Sequence, residues 1–182
     1  MKSLANLSSQ PAAVSIAADD VLEFHAARLL LLFRICGVKD TIDGLTKMAK
    51  LDFFVRYPQF FARVSAFLQK QPKSVTQSVE SSMVRHHYGP WDKRYYHVLA
   101  YLEGKGLITV AKSGSTFQFQ LTSVGKEAAD ALKEKDSFAR LVQQMKAVKK
   151  ELGSKSGSVL KKIIYQVFQE EVAEKGLGEV IE

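Results

Sequence analysis

The stretch from Asp92 to Lys135 limits the folds open to this chain more than any other. A helical segment beginning at Asp92 and ending near Gly104 leads through Gly106 into Leu107-Ile108-Thr109-Val110, a run of apolar and β-branched residues that reads as a strand. Ser113-Gly114-Ser115 supplies a tight turn. The returning segment, Thr116 to Leu121, sets Phe117, Phe119 and Leu121 on one face against Gln118 and Gln120 on the other, the alternation of a half-exposed hairpin strand. Thr122 then offers a hydroxyl to cap a helix through about Lys135, with Val124, Ala128, Ala131 and Leu132 turned inward. In this order of helix, hairpin and capped helix, Leu99 and Leu102 pack inward and Gly106 takes the sharp turn into the strand.

Helical spacing governs the remainder. Asp20 and Glu23 resemble a capping box for a helix that reaches Cys36 and stops at Gly37, with Leu22, Ala26, Leu29, Leu30 and Phe33 on its buried face. Ile42, Leu45, Met48, Leu51, Phe54 and Val55 predict a second helix bounded by Pro58, which itself opens a third carrying Phe61, Val64, Phe67 and Leu68 as far as Pro72. A further capping pattern, Ser74 to Gln77, predicts a fourth helix ending near His86 or His87. Two strongly amphipathic helices close the chain, Ser137 to Leu152 and about Ser158 to Lys175, joined by the short linker Gly153-Ser154-Lys155-Ser156-Gly157. The expected organisation is a flexible tail over 1–18, one domain over 19–136, and a helical hairpin or partner-binding extension over 137–182.

The 182 residues are enough for a core without disulfides or metals, and 26 Lys and Arg against 19 Asp and Glu leave a net charge of +7 that favours acidic or phosphate-bearing partners. The one cysteine, Cys36, lies among apolar residues and suits a reduced, cytoplasmic setting. The longest apolar run, Leu29 to Phe33, is bracketed by Arg28 and Arg34 and is far too short to enter a membrane. His25, His86, His87 and His97 lack the spacing of metal ligands, Asp52, Glu80 and Asp92 are scattered beside basic residues, and no glycine-rich phosphate loop is present. Neither an enzyme nor a cofactor or metal site is therefore expected.

The order Leu99-x-x-Leu102-x-x-x-Gly106-Leu107-Ile108, hairpin, Leu121-Thr122-x-x-Gly125 is similar to the winged-helix pattern of many bacterial regulators and chromosome-organising subunits. The expected fold is α+β and mostly α: a winged helix-turn-helix with a two-stranded wing and extra N- and C-terminal helices. A narrower resemblance lies in Lys47-x-x-Lys50-Leu51-Asp52-Phe53-Phe54-Val55-Arg56-Tyr57-Pro58 and Glu80-Ser81-x-Met83-Val84-Arg85-x-x-Tyr88-Gly89-Pro90-Trp91-Asp92-x-Arg94-Tyr95-Tyr96. These motifs, and about residues 20–135 around them, resemble the small middle component of bacterial three-component ABC ATPase systems, including Lamassu-type antiphage defence. That resemblance implies a non-enzymatic subunit that docks on an SMC-like, Rad50-like ATPase and helps control a separate effector, often a nuclease.

Two groups of residues are candidates for contact with partners. Tyr57, Tyr88, Trp91, Tyr95 and Tyr96, with Arg56, are of the types that anchor protein interfaces, although neighbours such as Tyr95 and Tyr96 cannot both face a core. Arg85, His86, His87, Lys93 and Arg94, with Lys112 near the wing tip, stand where a winged helix meets double-stranded DNA. A solvated or protein-docking basic face is the simpler account of this second group, because the wing tip carries only one lysine. The rival function is a winged-helix transcription regulator that binds an operator as a dimer. Charge also splits along the last two helices, basic from Arg140 to Lys162 and acidic from Glu170 to Glu182, as in a clasp for a partner.

Overall fold

Five consecutive apolar residues, Leu29 to Phe33, cannot share one stripe of a helix, so the helix that carries them must be packed on all sides. It is: helix α1 (Leu22–Cys36) has nine buried residues and packs against helices and strands both near in sequence and as far on as residues 139–152. These relations come from a computed structural model that describes residues 21–69, 83–86, 89–114, 116–169, 176 and 180–181. The proposed tail, Asp20, most of the helix expected from Ser74, and His87, Tyr88, Ser115 and Glu170 lie outside the described residues. Helix α1 begins after Val21, which makes no side-chain cap, and ends as the Gly37 amide donates to the Phe33 carbonyl.

The second helix is shorter than its apolar spacing predicts. Thr41–Asp43 forms strand β1, and helix α2 (Leu45–Arg56) starts only after Gly44, whose φ of 88° breaks the chain direction. Ile42 is buried as a strand residue opposite Phe119, where its β-branched side chain suits a pleated surface. Helix α3 (Pro58–Gln69) opens at Pro58, as proline's fixed φ favours.

Beyond it, Met83–His86 is strand β2 and Gly89–Trp91 strand β3, which corrects the expected helical end at His86. Helix α4 (Tyr95–Gly104) leads to the hairpin of β4 (Ile108–Ser113) and β5 (Thr116–Leu121), with Ile108 opposite Leu121 and Val110 opposite Phe119. The hairpin belongs to a three-stranded antiparallel sheet in the order β1-β5-β4, in place of the two expected strands. Helix α5 (Ser123–Lys133) is capped by Thr122, whose hydroxyl accepts from the Gly125 amide at 3.0 Å.

A 3-10 turn (Asp136–Phe138) opens into helix α6 (Ala139–Leu152), and helix α7 (Gly157–Val167) follows; residues 170–175 of the expected last helix lie outside the described residues. Strand β6 (Val180–Ile181) completes a second sheet in the order β3-β2-β6. Val142, Met145, Val148, Leu152, Leu160, Ile163 and Ile164 join the same apolar core as α1 and α2. The fold is therefore mostly helical with small antiparallel sheets, and among the described residues no helix is long and apolar enough to cross a membrane.

Candidate functional site

The two motifs, Lys47 to Pro58 and Glu80 to Tyr96, meet inside the protein. Asp52 on α2 accepts from Arg28 Nε of α1 at 2.9 Å and from its Nη2 at 3.3 Å, and the Tyr95 hydroxyl of α4 donates to the second carboxylate oxygen at 2.7 Å. One turn on, Arg56 Nη1 donates to Asp92 at 2.7 Å, and Asp92 also accepts from the backbone amide and guanidinium of Arg94. His25 lies between Arg28 and Arg94, with ring nitrogens 2.9 and 2.8 Å from their guanidinium groups. Burial works to raise the Asp92 carboxyl, but hydrogen bonds from Arg94 and the charges of Arg56 and Arg94 outweigh it and hold it well below the usual carboxylate range. Burial and the nearby Asp52 charge push the Tyr95 hydroxyl well above its ordinary value, so it stays a donor.

Two more contacts bind α2 to the second sheet. Lys50 Nζ donates to the Pro90 carbonyl at 2.8 Å, and the Met83 amide donates to the Tyr57 hydroxyl at 2.7 Å. The motif residues thus tie α1, α2, β2, β3 and the start of α4 into one unit.

The structure places most of the expected docking residues in the interior. Arg56, Tyr57, Trp91 and Tyr95 are all buried, and Trp91 sits edge-on to Tyr95 with ring centroids 5.2 Å apart. Tyr96 alone among the described aromatic candidates faces solvent, at 62% exposure, because successive helical side chains diverge by about 100°. Asp92, expected to cap α4, spends its carboxylate on three arginine contacts as well as the Arg94 amide. Of the basic candidates, Arg85 and His86 have their backbone in β2, Lys93 and Lys112 are exposed, and Arg94 is held by Asp92 and His25.

Tyr96 forms one wall of a shallow groove between α4 and the β4-β5 hairpin. The apolar face of the hairpin runs past the core: Phe119 is buried and stacks on Phe33, whereas Phe117, two residues nearer the turn, is 42% exposed. Leu45, Leu99 and Val110 form the floor, Ala100 and Glu103 the rim, and the space is about 180 Å³. Glu103 is its only ionisable lining residue apart from the Tyr96 phenol, so the groove offers apolar and aromatic contact with one carboxylate at the edge. Sequence alternation placed Phe117 on the inner face but could not show that α4 ends its cover before reaching it. Among the described residues no group of three or more His, Cys, Asp or Glu is placed to hold a metal ion. No family model, curated protein or solved structure matches the chain.

Proposed function

We propose that this chain is a non-catalytic winged-helix subunit of a Lamassu-type three-component ABC ATPase system, bridging an SMC-like ATPase and an effector and helping to control the effector in antiphage or antiplasmid immunity. What supports the winged-helix reading is the order α1, β1, α2, α4, β4, β5 with strands arranged β1-β5-β4, which is compatible with such a fold if α3 and the β3-β2 strands are taken as an insertion between α2 and α4. The observation that carries the assembly role is the groove. Where a winged-helix DNA reader sets arginine and lysine between its helix and wing, this chain sets Tyr96, Phe117 and Val110.

Co-expression with the ATPase and effector genes beside it, followed by size-exclusion chromatography, tests the proposal. The chain should co-elute with the ATPase, and a lone peak contradicts it. Tyr96→Ala with Phe117→Ser should weaken assembly by about thirtyfold, the loss of an anchor of roughly 2 kcal/mol, while leaving the chain folded. Binding of one operator sequence by the isolated chain would favour the regulator instead.

A further inference from the structure

The positive charge of the molecule is concentrated in one stretch. Residues 139–168 hold seven basic side chains (Arg140, Lys146, Lys149, Lys150, Lys155, Lys161 and Lys162) against one acid, Glu151. They carry a net +6 over thirty residues, against +5 over residues 1–138 and −4 over residues 169–182, so the positive charge is densest in this stretch. We propose that the exposed face of α6 is a contact surface for the phosphate backbone of duplex DNA, made by Arg140, Lys146 and Lys150.

At 100° per residue Arg140, Gln143, Lys146 and Lys150 fall in a strip about 120° wide and about 15 Å long. All four are exposed, and none of the three cations has a carboxylate partner among the described residues. The opposite side of α6, with Val142, Met145, Val148 and Leu152, is buried in the core. The strip is also rigidly mounted. Lys149 Nζ donates to the carbonyls of Cys36 and Gly37 at 2.8 and 2.7 Å, which ties α6 to the end of α1, and Gln144 donates to the Phe54 carbonyl at 3.0 Å.

The same geometry selects the partner. A membrane-surface helix needs a free apolar face, and that of α6 is occupied. Single strands are held by stacking on exposed aromatic rings, and the strip has none. Duplex RNA is read through its 2′-hydroxyls, for which Gln143 is the one neutral hydrogen-bonding side chain in the strip. Three fixed cations on one straight helix suit sequence-independent contact with DNA phosphates.

The test uses the full chain and two unrelated DNA duplexes of roughly 25 base pairs, with affinity measured by fluorescence anisotropy between about 50 and 200 mM salt. Both duplexes should bind equally, with an affinity that falls steeply with salt. Arg140→Gln, Lys146→Gln and Lys150→Gln combined should lower the log–log salt slope by up to about 2.7, at roughly 0.9 for each phosphate left without its cation. Because all three positions are exposed, circular dichroism should be unchanged. Lys93→Gln with Lys112→Gln, on the α4 and wing side, should leave the slope as it is. The proposal is overturned if the wild-type chain does not bind at the lowest salt, if the triple variant keeps its slope, or if the Lys93 and Lys112 variant loses binding instead. Tighter binding to duplex RNA or to polyglutamate than to DNA also overturns it. None of these outcomes depends on whether an ATPase partner binds the groove.

Discussion

Lys50 is fully buried on α2, and its amine donates to the Pro90 carbonyl of β3. Burial, and to a lesser degree the charge of Lys161 on α7, pull its pKa down from 10.5 to about 7. A lysine depressed in the folded state binds fewer protons there than in the unfolded chain between those two values, so stability rises with pH across that window. Below about pH 7 both states are protonated and the full cost of the buried charge is present. Urea unfolding of the wild type should therefore gain up to about 1.4 kcal/mol per pH unit above neutrality relative to Lys50→Met, which removes the amine. Parallel pH profiles for the two proteins would show that the amine is not buried as described. Cys36 shows the same physics with opposite sign: burial pushes its thiol up to about 12, so it is an inert core residue rather than a nucleophile.

At the scale of elements, the order from α4 to α5 was legible because its turns and cap have local reasons, although Val124, expected to face inward, is 57% exposed. The Thr122 hydroxyl both accepts from the Gly125 amide and donates to the Gly106 carbonyl at 2.7 Å, joining the base of the hairpin to the next helix. Gly125 has a stricter role than sequence alone suggests, since a Cβ there would collide with the Leu107 carbonyl. Gly125→Ala should lower stability by roughly 2–4 kcal/mol, and Thr122→Ala by about 1 kcal/mol, in thermal melts followed by circular dichroism. A Gly125→Ala protein as stable as wild type would mean that α5 is not seated on the hairpin. What stayed hidden were elements whose partners are distant in sequence. Strand β1 has three residues and exists through Phe119 and its neighbours more than seventy positions away, so Ile42 read locally as part of a helix. The same limit applies to the candidate site: Tyr and Trp next to Arg look like interface anchors in a motif, and only the packing of α1 against α2 and α4 shows that Trp91 and Tyr95 are interior.

At the scale of the whole molecule, Asp52 is where the three helices α1, α2 and α4 are pinned together. Its carboxylate has no exposed surface, and it meets Arg28 of α1, Tyr95 of α4 and, at 4.0 Å, Arg56 of its own helix. A buried ion pair gives little net stability compared with an apolar replacement, but removing one partner leaves the other charge in a site that water cannot reach. Asp52→Asn keeps the side-chain shape while facing Arg28 with a neutral amide, so it should cost about 3–5 kcal/mol. That is a large share of the roughly 5–15 kcal/mol by which a domain is stable. Tyr95→Phe removes only the hydroxyl donated to the same carboxylate and should cost about 1.5–3 kcal/mol. The exposed Asp43, whose carboxylate accepts from Gln118 at 2.7 Å, is the control: Asp43→Asn should stay within about 0.5 kcal/mol of wild type. Because α6 and α7 share the core with these helices, Trp91 fluorescence and far-ultraviolet circular dichroism should report one coincident urea transition in each variant. Acid should attack the same unit. Asp92 is held below its ordinary value of 3.8, so the stability it contributes is intact above that pH and is lost as the pH falls through its depressed value. An Asp52→Asn protein that unfolds at the wild-type urea midpoint, or separate transitions for the two probes, would show that this carboxylate does not hold the helices as one cooperative unit.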